Sequence, residues 1–459
     1  MRNYFLSLFI VLTSFGLQTT NAQSSIEQPV LSKDIQQFLS LISADTKFEK
    51  NRALSYMELH WKPSFEIMAL ELMYFGHSTD VGVQIALLLQ KKTGKNFGFN
   101  FNQWYEYLWN KEEALAPQYD YFKARLHQSI DAPFAGYFLG RQYQRLIRFD
   151  EIRWGGVVQD GIPPLRNPKM ISAKNATYLE DDHVVFGIEV NGDARAYPKR
   201  ILAWHEMFVD TVGEIPVAGV YCTLCGTVIL YKTEVDGVLH EMGTSGFLYR
   251  SNKLMYDKAT QSLWSTLEGK PVVGPLVGKG IQMEYLSVVT TTWGEWKKRH
   301  PTTQVLSTET GFRRDYGEGV AYQSYFATDE LMFNVPTVSK KLKNKQSILA
   351  IRLEHAPDKP LAISVDFLKK TPVYTSSIEG EQFTVFTDTT GANRVYSSNN
   401  IKFKAFDGNN LIEDSSGRSW QLFEDRLESE TGEVLNRLPT FNAFWFGWQA
   451  AYPNTKLIQ

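Results

Sequence analysis

The chain has 459 residues, with 48 Lys and Arg against 50 Asp and Glu, a formal net charge of −2 and a pI near 6.5. That balance gives no electrostatic ground for nucleic acid or an anionic membrane surface as partner. Two cysteines in so long a chain exclude a disulfide-stapled scaffold, and an aromatic content of 14% forecasts large aromatic cores or an aromatic-lined cleft.

Met1-Arg2, an apolar run from Tyr4 to Leu17 interrupted by small residues, and Thr20-Asn21-Ala22 have the three parts of a cleavable secretory signal over residues 1–22. The run is shorter than the roughly 20 residues a bilayer span needs, and no later stretch is long and apolar enough to replace it. The expectation is an exported protein, periplasmic or extracellular, with no integral membrane span after signal removal.

Residues 23–153 carry helical periodicity. Ile35, Phe38, Leu39 and Ile42 share one stripe, Phe65, Met68, Leu72 and Phe75 a second, and Val81, Ile85, Leu88 and Leu89 a third. Asp34, Ser64 and Thr79 are expected N-caps, with Pro63, Gly94 and Pro117 as breaks. Short amphipathic helices in succession have to bury their stripes against one another. The segment therefore reads as an all-α antiparallel array of HEAT type, either a capping domain or a partner-binding surface. Residues 154–177 crowd Gly155, Gly156, Gly161, Pro163, Pro164 and Pro168 together, which excludes helix and predicts a Gly/Pro-rich linker lying extended over the next domain.

From Tyr178 the texture is β-rich. Val184 to Val190 predicts a strand, Asn191-Gly192 a turn and Arg195 to Tyr197 the return. Ile201 to Val209 predicts a short helix or turn carrying Trp204-His205-Glu206. Val217 to Tyr221 then leads as a strand into YCTLCGT, and Val228 to Tyr231 leads out of it. GVYCTLCGTVILY at 219–231 lies ungapped over TVFTDTTGANRVY at 384–396, and TWGEWKKRHPTT at 292–303 lies over FWFGWQAAYPNT at 444–455. Matches in the same order imply two copies of one β-rich module, 178–346 and 347–459, with Thr387 and Thr390 in the places of Cys222 and Cys225. The fold class is α+β: an N-terminal all-α HEAT-like array followed by a duplicated β-rich module. Trp293, Trp296, Trp445 and Trp448 fall at helical spacing and are expected in the core.

Cys222 and Cys225 form a C-x-x-C pair on a strand-to-strand turn, with Gly226 supplying backbone freedom. Three chemistries fit. A structural disulfide over so small a loop is worth roughly 2 kcal/mol. A transition-metal site for copper, zinc or iron would need Cys222, Cys225, His205 and His240, with Met242 and Met255 able to complete a soft set. Thiol redox chemistry would use Cys222 as nucleophile and Cys225 as resolving thiol, with His205 as activating base and Glu206 orienting it. Only the metal reading implies a cofactor, and the electron or protein partner is not named by any motif. Tyr249-Arg250-Ser251-Asn252, following Gly243 to Gly246, reads as a polar turn able to line a pocket near the loop. A non-enzymatic module that binds a partner through its helices is the remaining alternative to a thiol-disulfide oxidoreductase.

Longer motifs run through the C-terminal two thirds: GGVVQDGIPPLRNP, GDARAYPKRILAWHE, YCTLCGT, GTSGFLYRSNKLMYD, SLWS, TTTWGEWKKRHP, TGFRRDY and FWFGW. From Trp154 onward the chain resembles domain-of-unknown-function family thirty-one seventy-nine, a group of exported bacterial proteins. Some of its members are described as selenoproteins, and this resemblance implies redox use of Cys222 and Cys225. It implies no substrate, reaction or cofactor.

Overall fold

The computed structural model describes residues 30–76 and 79–459, and the predicted signal at 1–22 lies outside the described residues. The architecture is mixed α+β, with helices first and several sheets after them. Among the described residues no helix is long and apolar enough to cross a membrane.

Among the described residues six helices of 9 residues or more come first: α1 (Lys33–Ser43), α2 (Lys47–Leu59), α3 (Phe65–Phe75), α4 (Asp80–Thr93), α5 (Phe101–Trp109) and α6 (Tyr119–Gln128). Ser32, not Asp34, caps α1 by accepting from Ile35 N, while Asp34 lies in the first turn and pairs with Lys62 at 2.6 Å. Thr79 caps α4 through Gly82 N, and Ser64 precedes α3 without a side-chain capping bond. Ile35, Phe38, Phe65, Met68 and Ile85 are fully buried, and a buried Lys123–Glu71 ion pair ties α6 to α3.

This helical core does not end at the last helix. Phe247, Leu254 and Tyr256, from the hairpin strands Met242–Tyr249 and Asn252–Asp257, belong to the same apolar cluster, and the rings of His127 and Phe134 lie 5.1 and 4.8 Å from Phe247. The helices thus cover one face of a sheet that carries part of the candidate site.

The first β-rich copy comprises β1 (Val184–Val190), β2 (Asp193–Pro198), α7 (Lys199–His205), β3 (Met207–Val212), β4 (Ile215–Cys222), β5 (Thr227–Lys232), the hairpin β6 (Met242–Tyr249) and β7 (Asn252–Asp257), β8 (Val289–Thr292), α8 (Trp293–Arg299) and β9 (Gln304–Leu306). After a connector whose regular helix is α9 (Gln323–Phe326) come β10 (Ser347–Ile351), β11 (Leu361–Ser364), α10 (Val365–Lys370), β12 (Val373–Ile378), β13 (Glu381–Thr387), β14 (Asn393–Ser397), β15 (Phe441–Phe444), α11 (Trp445–Ala451) and β16 (Lys456–Ile458).

The two copies share one topology. Sheet order is β8-β1-β2-β9 in the first and β15-β10-β11-β16 in the second, with the same run of two antiparallel pairings and one parallel pairing. Meanders β3-β4-β5 and β12-β13-β14 repeat as well. Trp296 Nε1 donates to Thr303 Oγ1 and Trp448 Nε1 to Thr455 Oγ1, both at 2.9 Å, and the two threonine hydroxyls pass the bond on to Ala194 O and Pro360 O. All four repeat tryptophans are buried.

The copies differ in what is inserted between the meander and the last antiparallel strand. The first insert forms the sheet of β6 and β7 under the helices, and the second forms a separate five-stranded meander from Phe403 to Asn436.

The stretch 154–177 is paired at sheet edges, Leu165–Arg166 with β3 and Met170–Ser172 with β9, where its prolines are tolerated. The ungapped match between the copies is corrected by one residue. Tyr231 stands opposite Ala218 and Tyr396 opposite Thr384, so four residues further along the incoming chain lie Cys222 and Asp388, not Thr387. Both tyrosine hydroxyls donate at 2.6 Å to a carbonyl of their copy's insert, Thr266 O and Phe423 O, so the two tyrosines occupy equivalent places in the copies.

Candidate functional site

The dithiol turn is built from both copies. Cys222 ends β4 paired with Thr227, and Cys225 N donates to Cys222 O at 3.1 Å to close the turn. Gly226 adopts φ 59°, and a Cβ there would also lie 2.8 Å from the Phe444 ring. Conformation and close approach therefore both require glycine. Phe444 N donates to Cys225 O at 2.7 Å, which seats the start of α11 on the turn. Gly447 faces Cys225 so closely that a Cβ would stand 3.1 Å from Sγ. By the Trp296/Trp448 register, its counterpart in the first copy is Glu295.

Both cysteines are free thiols, 2% and 0% exposed. Cys225 Sγ donates to Ser251 O at 3.0 Å and is also within hydrogen-bonding reach of Cys222. One S–H serves one acceptor at a time, so it alternates between a carbonyl and, once Cys222 ionises, a thiolate. The Cys222 sulfur also receives the backbone N–H groups of Lys253 and Cys225. The bond from Cys225 outweighs burial and the nearby Glu206 charge and holds the Cys222 thiol below its ordinary value. Burial, then the bond to Cys222 and the charges of Cys222 and Glu206, pushes Cys225 well above it.

The backbone around the sulfurs is strained. Ser251 and Arg250 form the two-residue turn of the β6–β7 hairpin at φ 64° and 48°, positions usually given to Asn-Gly. Glu206, at φ 54°, and Tyr322, at φ 56°, are two further non-glycine residues in the left-handed region beside the site. Such positions cost of order 1–3 kcal/mol each and persist where surrounding contacts over-determine them. Here those contacts are the Arg250–Glu151 ion pair at 2.5 Å, the bond from Arg250 to Ala450 O at 3.1 Å and that from Ser251 Oγ to Phe333 O at 3.2 Å.

Glu206 is placed with the cysteines but not as a support for His205. It caps α7, its carbonyl accepts from Tyr221 N, and its buried carboxylate pairs with Lys253 at 3.1 Å and accepts from Tyr322 OH at 3.1 Å. His205 is the correction. Its Nδ1 bonds Pro163 O at 2.9 Å, so that nitrogen carries the proton, and Nε2 accepts from Tyr316 OH at 2.6 Å. Burial lowers its pKa and keeps it neutral, and neither ring nitrogen is left to take a thiol proton.

His240 is likewise elsewhere. It bonds Asp257 at 2.9 Å and lies against Trp264, at the end of the β6–β7 hairpin opposite the Arg250-Ser251 turn. Met242 and Met255 are packed in a separate apolar core. The four-ligand metal set is therefore not assembled, and among the described residues no group of three or more His, Cys, Asp or Glu could hold a metal ion.

A family model described as "Protein of unknown function (DUF3179)" matches residues 159–455. The chain belongs to this family. No curated protein and no solved structure matches it. In this DUF3179 chain both cysteines, Glu206, Lys253, Ser251, Tyr322 and Gly447 fall inside the matched span, whereas α1 to α6 precede it.

The cover over the turn comes from the connector. Tyr325 OH donates to Leu224 O at 2.7 Å, and Tyr325, Val335, Phe446 and Ala450 form the apolar cluster around the sulfurs. Sequence reasoning missed Lys253, Tyr322, Tyr325 and Gly447, although GTSGFLYRSNKLMYD and FWFGW already marked two of their stretches. The arrangement offers an ionisable thiol, a second thiol held protonated beside it, and a buried carboxylate–ammonium pair within electrostatic reach.

Proposed function

We propose that this is an exported thiol-disulfide oxidoreductase in which Cys222 attacks and Cys225 resolves. The observation that supports it is the unequal setting of two adjacent free thiols. Cys222 collects hydrogen-bond donors, while Cys225 has a carbonyl acceptor and full burial.

Cys222 thiolate attacks one sulfur of a substrate disulfide, the substrate S–S bond breaks, and one substrate thiolate leaves. Cys225 then loses its proton, which ends on a substrate thiolate, and attacks Cys222 Sγ. The mixed disulfide breaks and a Cys222–Cys225 disulfide forms. Two electrons have passed from the dithiol to the substrate.

The test is trapping. A Cys225→Ser variant incubated with 2-hydroxyethyl disulfide should accumulate a mixed disulfide on Cys222, whereas Cys222→Ser should accumulate none on Cys225. Equal modification of both variants, or of neither, contradicts the reading.

A further inference from the structure

The TGFRRDY stretch takes no part in the thiol chemistry, yet its flanks are firmly tied. Tyr316 OH donates to His205 and receives from Thr310 Oγ1 at 2.6 Å, Trp204 Nε1 donates to Asp315 O at 2.7 Å, and Arg200 Nε donates to Tyr316 O. His205 Nδ1 holds the opposite wall through Pro163 O. Between these anchors Arg313 and Arg314 are exposed. Arg314 bonds the Arg313 carbonyl and lies 5.9 Å over the Trp204 ring, and neither guanidinium is paired with a carboxylate among the described residues. The neighbouring Asp315 carboxylate is turned back onto Gly317 N.

These arginines line a cleft of about 620 Å³ together with Val157, Ile162, Trp204, Tyr322 and Asp315, whose carboxylate is occupied by Gly317 N. Its size suits a small ligand. Tyr322 is the link to the dithiol. It lines the cleft, donates to Glu206 at 3.1 Å and packs against the apolar cluster that holds both sulfurs.

Resting on the thiol reading above, we propose that this cleft binds the dithiol's substrate, and that the substrate is a small acidic peptide disulfide. Two unpaired guanidinium groups match carboxylates with paired, charge-assisted hydrogen bonds. Trp204, Val157 and Ile162 cover the aliphatic part. Tyr322 stands between the cleft and Cys222 and has to swing aside before the sulfurs meet. The dithiol then gives two electrons to the bound disulfide, which leaves as two thiols.

Two measurements on the whole protein separate this from the thiol reading. The first is calorimetric binding of S-methylglutathione, an anionic peptide thioether that cannot react. It should bind, and an Arg313→Gln/Arg314→Gln double variant should bind at least about tenfold more weakly. Absence of binding, or equal binding by the double variant, overturns the cleft proposal whatever the thiols do. The second compares reduction of oxidised glutathione with reduction of neutral 2-hydroxyethyl disulfide. The double variant should raise KM for the first at least about tenfold and leave the second unchanged. An equal change for both disulfides overturns the proposal. Binding of the thioether with neither disulfide reduced keeps the cleft as an anion site and overturns its link to the dithiol, along with the thiol reading.

Discussion

The turns that end β4 and β13 start from one backbone plan and are completed in opposite ways. In the second copy Asp388 stands where Cys222 stands in the first, and it finishes the turn locally. Its Oδ1 accepts from Thr390 N, Thr390 Oγ1 and Ala392 N at 2.7 to 3.0 Å, and Oδ2 pairs with Arg394 at 3.0 Å. This is a self-contained Asx turn. The first copy has no such side chain. Its turn is held from outside, by Ser251 O on Cys225, Phe444 N on Cys225 O and Tyr325 OH on Leu224 O. The second copy's turn opens on a cavity of about 460 Å³ lined by Lys369, Thr387, Asp388 and Thr390, whereas the first is covered. The fold has a cheap local solution for this turn without sulfur. Where the second copy has that local solution the first has two thiols and a cover recruited from distant stretches, and the thiol chemistry proposed above accounts for the difference.

Substitutions in the two turns should have unequal effects. The largest effect is expected from Cys222→Ser, which should lower disulfide reduction at least about a thousandfold, while Asp388→Ser leaves the rate of Cys222 unchanged. Next comes Glu206→Gln, which strands the buried Lys253 ammonium and should cost about 3 kcal/mol in chemical denaturation. The same change removes a negative charge that raises the Cys222 pKa. Its alkylation midpoint should therefore move to lower pH than in the unaltered protein, where the bond from Cys225 already holds it below the ordinary thiol value. Gly447→Ala puts a methyl group against Cys225 Sγ and should cost about 2 kcal/mol and slow formation of the internal disulfide, as read by denaturation and stopped-flow oxidation. The smallest change is expected from Asp388→Asn. It keeps most of the Asx turn, weakens the Arg394 pair, and should lower stability by about 1 kcal/mol with no shift in the Cys222 pH profile.

What the sequence made legible was local. β1 ends at the Asn191-Gly192 turn, where φ values of 50° and 81° are those the dipeptide announces, and Gly226 takes the positive φ its place in the loop requires. The repeated tryptophans were readable as core because helical spacing buries one face. What escaped was long-range or periodless. A turn has no side-chain period, so nothing in the letters showed the one-residue slip that sets Asp388 opposite Ala392. His205 sits near Cys222 in the chain, but its partners are Pro163 and Tyr316, the second more than a hundred positions away. Edge pairing of residues 165–172 was hidden because their prolines signal the absence of helix without excluding short strands. Lys253, Tyr322 and Gly447 meet the sulfurs only after both copies and the connector have folded around them.

In the function proposed above, Cys222 and Cys225 form one redox couple with Cys222 as the reactive member. The most direct measurement titrates the protein against mixtures of reduced and oxidised dithiothreitol and quantifies each cysteine by differential alkylation and mass spectrometry. Both sulfurs should convert together and reversibly in a single two-electron transition, and the reduced protein should be alkylated first at Cys222. Two thiols that persist across the whole range, or alkylation that begins at Cys225, would contradict it.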